Sequence, residues 1–157
     1  MASAKELKMA TTIYETLCET LDERNWKYAR HDDDRVITFG VSGDDLPMDM
    51  IIICDADYQL VRLLSPFSFK VPQDKRVEMA LATCHVNYQL ADGSFDMDLG
   101  DGDLLFRLTS SFRESLISKE MLNYMINVSC STIDEYNDKF LMICKGVLSV
   151  QDFMTKE

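Results

Sequence analysis

Residues 3–24 repeat apolar positions every three or four residues: Leu7, Ala10, Tyr14, Leu17 and Leu21, with Ile13 and Cys18 widening the stripe. That spacing puts one apolar face on a helix. Ser3 with Glu6 three residues on is a capping-box pattern, so the helix is expected to begin there. The period then changes to two. Trp26, Tyr28 and Arg30 share a face over 26–31, and Ile37, Phe39 and Val41 share one over 35–42. His31 and the run Asp32, Asp33, Asp34 form the turn between them. Residues 49–55 hold Met50, Ile51, Ile52, Ile53 and Cys54, apolar on both faces, so this strand is expected to be central and covered on both sides. Residues 58–64 complete a four-strand meander.

A second helix is expected over 73–90, with Pro72 near its first position and Asp74 and Glu78 favourable to its dipole. Its buried stripe reads as Val77, Leu81, Cys84 and Tyr88. Phe95, Met97 and Leu99 then alternate with Ser94, Asp96 and Asp98, as in a half-buried strand. Gly100, Asp101 and Gly102 turn the chain, and Leu104, Phe106 and Leu108 face the core on the return. Residues 118–144 carry Leu122, Met125, Ile126, Ile133, Tyr136, Phe140 and Ile143 at helical spacing. Thr132 with Glu135 offers a second capping box that could split this helix. Gly146 is a C-cap, and 149–155 adds one more turn. The expected fold class is α+β, helices packed on an antiparallel sheet in the order α-β-β-β-β-α-β-β-α. Residues 1–157 read as a single domain, with a C-terminal helical segment at about 118–155.

Composition narrows the function. With 157 residues and 46% hydrophobic content the chain can bury a core unaided. Its net charge of −11 repels phosphate backbones and anionic lipid, so neither nucleic acid nor membrane is an expected partner; a basic peptide is compatible. The apolar run 50–54 is too short to span a bilayer and residues 1–8 hold no apolar leader, so a cytoplasmic location is expected. Cys18, Cys54, Cys84, Cys130 and Cys144 are odd in number and include no C-x-x-C, so reduced, buried thiols are expected. Of the ten methionines, Met97, Met125 and Met142 fall inside apolar patterns and read as core filler.

The chemistry-bearing residues do not assemble into a known motif. Starting a calcium loop at Asp96 puts Gly100 at position five, Asp101 at six and Arg107 at twelve, which fails three requirements. Three consecutive carboxylates at Asp32 to Asp34 splay apart on a turn. Cys84 and His85 are helix neighbours about 100° apart and cannot share a hydrogen bond. No P-loop, dinucleotide fingerprint or G-x-S-x-G is present. No catalytic residue, metal ligand or cofactor is therefore assigned. Asn87, at a helix end, can bond the backbone of the following turn, which is a structural task.

The second helix with Asn87, Leu90, Gly93, Phe95, Asp98, Gly102 and the Phe106-Arg107 strand resembles the YbjN-like family, bacterial proteins labelled sensory transduction regulators. The Trp26-x-Tyr28 strand, the Ile51 to Cys54 strand and the connection holding Pro66 and Pro72 look similar too, over roughly residues 5–145. The resemblance implies a fold like that of type III secretion chaperones, which are often homodimers, bind extended client segments and lack enzyme activity. The helical region 121–153 is long for such a chaperone. The resulting expectation is a non-enzymatic interaction module, chaperone-like or a regulatory adaptor, acting as a homodimer on a protein or peptide client. Leu105 and Arg107, on the face opposite Leu104 and Phe106, are the candidate partner or dimer surface. The alternative is a small-ligand sensor with an apolar cavity lined by Phe67, Phe69 and methionines.

Overall fold

The computed structural model describes residues 1–156; Glu157 lies outside the described residues. Helix α1 (Ala4–Glu23) starts at the expected capping box. The Ser3 hydroxyl accepts from the Glu6 N–H at 3.3 Å, and the Glu6 carboxylate accepts from the Ser3 N–H at 2.6 Å. Its stripe is buried from Ala10 to Leu21, while Leu7, one turn earlier, is exposed.

Four strands follow as a meander: β1 (Ala29–His31), β2 (Val36–Val41), β3 (Met48–Asp55) and β4 (Leu60–Pro66). A 3-10 turn over Gln73–Lys75 leads into α2 (Arg76–Gln89), so Pro72 precedes that turn rather than opening the helix. Strands β5 (Ser94–Met97) and β6 (Leu104–Ser111) form a hairpin, and α3 (Lys119–Cys144) and α4 (Val150–Thr155) close the chain. The six-stranded sheet is antiparallel throughout, in the order β1-β2-β3-β4-β6-β5, so β6 inserts beside β4 and leaves β5 on the edge. This is the α+β order that the periodicities predict.

Three expectations need correction. First, β3 is covered on one face only: Met48, Met50, Ile52 and Cys54 are buried, whereas Ile51 and Ile53 are half-exposed. Second, α3 runs unbroken through Thr132, which is buried, because Ser129, Ile133 and Tyr136 continue one face across that point. A threonine inside a helix costs only a few tenths of a kcal/mol, less than splitting the stripe would. Third, α2 buries Met79, Ala82, Thr83 and Val86 and turns Val77, Leu81, Cys84 and Tyr88 outward, the reverse of the expected stripe.

The core between sheet and helices joins Leu17 and Leu21 of α1, Ile37, Ile52, Leu63 and Phe106 of the sheet, and Phe140 of α3. Its densest part is aromatic. The Phe95 ring lies 5.2 Å from Phe106, 5.0 Å from Phe140 and 5.9 Å from Tyr136, all near edge-to-face. That geometry sets the positive edge of one ring against the negative face of another and adds about 1 kcal/mol per pair beyond burial. Phe153 anchors α4 here, 5.9 Å from Phe140 and 6.3 Å from the His85 ring of α2.

Candidate interaction surfaces

Helices cover one side of the sheet, and the other side is a candidate surface. Ile51, Ile53, Leu60, Leu64 and Leu105 alternate with the core positions, are half-exposed, and take no part in the buried cluster. Register pairs Ile51 with Leu64 directly and sets the others beside Arg62, Asp55 and Asp96 on the same face. Thr38, Ile51, Leu64, Arg107 and Ser94 form one row, and Val36, Ile53, Arg62 and Thr109 the next. Leu105 stands between Pro66 and Asp96. Both expected surface residues are therefore on the open face, as their alternation with Leu104 and Phe106 requires. Arg107 Nε pairs with Asp96 Oδ2 at 2.9 Å across strands, both side chains well exposed. A pair this solvated contributes at most about 1 kcal/mol and can exchange partners. Arg62 reaches Asp55 on the same face, with its guanidinium 6.0 Å from the centre of the Tyr58 ring.

A second surface is the outward face of α2. Val77 is 73% exposed, Leu81 50% and Tyr88 93%, and Leu99 in the β5–β6 turn is 63% exposed beside them. Leu99 was expected inside the strand; it falls past the end of β5, in the turn. Ala80, Cys84, Tyr88, Met97 and Leu99 line an open groove of about 560 Å³. Its floor is set by Asn87, whose Nδ2 donates to the Phe95 carbonyl at 3.0 Å and whose Oδ1 accepts from the Phe95 N–H at 2.8 Å. One amide thus stands in for the neighbouring strand that β5 lacks. The expected backbone role of Asn87 is correct, and it reaches eight residues ahead rather than into the next turn.

Gly93 and Gly102 hold the left-handed conformations that bring this hairpin in, at φ +78 and +82. A Cβ on Gly93 would stand 2.3 Å from the Phe106 ring. The acidic turn spends its carboxylates locally. Asp98 accepts from the Gly100 N–H at 2.7 Å, Asp101 accepts from the Asp103 N–H at 2.9 Å, and Lys70 pairs with Asp103 at 3.0 Å. The Asp103 N–H bond, with the Lys70 ammonium beside it, lowers the pKa of the Asp101 carboxyl. Among the described residues no three His, Cys, Asp or Glu side chains are placed to hold a metal ion.

Other titratable groups tie elements together. Asp32 accepts from the Tyr14 hydroxyl at 2.6 Å and from Arg30 Nε at 2.9 Å, and Arg30 also reaches Glu15 at 3.0 Å. The Tyr14 and Arg30 bonds depress the Asp32 carboxyl, and burial pushes the Tyr14 phenol up. Tyr28 is raised to about 12, chiefly by burial and then by its bond to Asp22. Cys18 and Cys54 are buried, Cys130 and Cys144 half-buried, and Cys84 exposed, which corrects the expectation of five buried thiols. Burial raises Cys54 to about 12. Met125 is buried and Met97 half-buried, but Met142 is exposed. The cavity expected beside Phe67 and Phe69 measures about 10 Å³, because the Phe67 ring packs against Phe69, Phe95 and Phe140. That is room for at most one water.

A one-sided antiparallel sheet, with an apolar outer face and a helix-flanked edge, gives an α+β fold like that of type III secretion chaperones. The chain belongs to the YbjN family, described as "Putative bacterial sensory transduction regulator", whose model matches residues 14–142. Among solved structures it is similar to YbjN from E. coli, described as a putative transcription regulator. That match has 14% identity and a TM-score of 0.56, and covers 80% of this chain and 92% of that one. It is also similar to the structure of the HopA1-SchA chaperone-effector complex, at 15% identity and a TM-score of 0.53, covering 81% and 94%. No curated protein matches. No helix among the described residues is long and apolar enough to cross a membrane.

Proposed function

We propose that this chain is a non-enzymatic interaction module, chaperone-like or a regulatory adaptor, working in the cytoplasm as a homodimer that holds a segment of another protein. Residues 1–157 act as one unit, the C-terminal helices included. The observation that carries the reading is the open sheet face: five half-exposed aliphatic side chains on the side of the sheet away from the buried core. Leu105 and Arg107 lie at its β5 end. An extended segment with alternating apolar residues fits such a face, and the net charge of −11 favours basic flanks on that segment. The fold likeness to a chaperone solved with its effector supports the same reading.

The test is capture of partners by tagged chain from its own cells, wild type against Leu105→Asp and Leu64→Asp. Both positions are half-exposed, so the fold should persist, as circular dichroism will check. The expected result is one stoichiometric protein held by wild type and lost by both variants. A partner held equally by all three, or no partner at all, would sink the reading.

A further inference from the structure

Helix α4 is six residues long and is docked through one ring. Phe153 is 3% exposed, whereas Gln151, Asp152 and Thr155 face solvent and Val150 and Met154 are half-buried. The Phe153 ring lies 5.9 Å from Phe140 and 6.4 Å from Tyr136 of α3, and 6.3 Å from the His85 ring of α2. α4 therefore sits in a groove between α2 and α3, with aromatic rings of α3 as its floor. A helix this short does not persist alone in water, so its conformation depends on that seat. Its tether is fixed separately. The Val147 and Leu148 N–H groups both donate to the Met142 carbonyl, at 3.0 and 3.2 Å, which closes the end of α3 before α4 begins. α4 can thus leave from Ser149 onward without unwinding α3. The family match adds a second observation. His85, Tyr136 and Phe140 lie inside residues 14–142, and α4 lies beyond them. The groove belongs to the matched domain and its occupant does not.

We propose that α4 is a tethered plug in a helix-binding groove, and that the groove opens to accept an amphipathic helical segment of a partner protein. The chemistry of that segment is read from the plug itself. It carries an aromatic anchor in the place of Phe153, an aliphatic residue three positions earlier, as at Val150, and an apolar residue just after, as at Met154, with polar residues between. This goes beyond the client reading, which concerns the opposite side of the sheet. The tether also sets a threshold. It holds α4 at an effective concentration on the order of millimolar, so only a segment that binds the open groove in roughly the micromolar range or tighter displaces it. Weak apolar contacts leave the plug in place, and the aromatic floor stays out of water until a matching segment arrives.

The probe is a fluorescein-labelled peptide of residues 148–156, followed by fluorescence anisotropy against the full chain. Phe153→Ala empties the seat of the ring and should bind the peptide at least tenfold more tightly than wild type. Ser149 caps α4, its hydroxyl accepting from the Asp152 N–H at 3.1 Å. Ser149→Ala removes that cap without touching the groove and should tighten peptide binding about fivefold. A peptide carrying Phe153→Ala should bind none of these proteins. Adding Leu105→Asp to Phe153→Ala should leave the affinity unchanged, which separates the groove from the open sheet face. In wild type the Phe153 amide, bonded to the Ser149 carbonyl at 3.0 Å, should exchange its hydrogen at least tenfold faster than amides 136–140. If Phe153→Ala misfolds, Ser149→Ala and the exchange rates decide. Three results would overturn the proposal: equal binding by wild type and the folded variants, binding that survives the Phe153→Ala change in the peptide or is lost with Leu105→Asp, or a Phe153 amide as slow as those of α3.

Discussion

Asn87 allows the sharpest test of how the β5 edge is built. Replacing it with Ala removes one donor and one acceptor at once. The Phe95 N–H loses its 2.8 Å partner and the Phe95 carbonyl its 3.0 Å partner. Each hydrogen bond contributes about 1 kcal/mol net, and a half-buried N–H left unpaired costs somewhat more, so the sum is about 2 kcal/mol. For a chain of this size that lowers the thermal midpoint by about 4–8 °C. Urea unfolding followed by circular dichroism reads it as a lower midpoint with unchanged slope. Asn87→Asp discriminates further. A carboxylate can accept from the Phe95 N–H but cannot donate to the carbonyl beside it, so Asp should fail to restore wild-type stability. A loss under about 0.5 kcal/mol for Ala, or full rescue by Asp, would show that the amide does not bridge both groups.

Three other perturbations follow from single positions. Gly93→Ala forces a left-handed residue with its Cβ 2.3 Å from a fully buried Phe106 ring, and should cost more than about 2 kcal/mol in urea unfolding. Gly40→Ala, whose Cβ meets nothing closer than 3.9 Å, should leave the midpoint within about 0.5 kcal/mol. Thiol titration with an aromatic disulfide at pH 8 should show one fast-reacting cysteine, abolished by Cys84→Ser, while Cys54, held protonated by a pKa of about 12, reacts only on unfolding. Fast reaction of Cys18 or Cys54 in native protein would contradict their burial.

What could be read in the sequence depended on whether one face of an element clearly outweighed the other. In α1 the apolar stripe faces a polar side of Lys8, Thr11, Thr12 and Glu15, so periodicity and capping box name both the face and the start. Helix α2 offers two apolar faces. The one that packs inward holds Ala82 and Thr83, small enough to let the helix sit close, and the larger Val77, Leu81 and Tyr88 are left outside. A reading weighted by side-chain size picks the wrong face, and with it hides the surface that the structure exposes. The same ambiguity affects β3, where Ile51 and Ile53 suggest a covered second face although no helix covers it. Leu105 and Arg107 were legible because strict alternation with Leu104 and Phe106 leaves only one face for them. The link from Asn87 to Phe95 was half legible. Its position at a helix end signals a backbone bond, but the acceptor depends on how the hairpin folds back.

Asp32 shows how the acidic surface can also fasten the fold, and its pH dependence has a definite sign. The carboxylate bonds Tyr14 of α1 and Arg30 of β1, so it ties the edge strand to the first helix. Those bonds favour the charged form and lower its pKa in the folded state. A carboxylate depressed on folding stabilises above its unfolded pKa, near 4, and that contribution disappears as pH falls through the lower folded value. Glu6 and Asp101 are depressed too, so acid sensitivity of the wild type alone does not isolate Asp32. The difference between wild type and Asp32→Asn does. Asn can still accept from Tyr14 but loses the charge that holds Arg30. Thermal midpoints measured from pH 7 to pH 2.5 should show wild type above Asp32→Asn at neutral pH, with the gap closing below about pH 4. A gap that stays constant across the range would mean the charge of Asp32 contributes nothing, and that the charged tie of β1 to α1 rests on Arg30 and Glu15 instead.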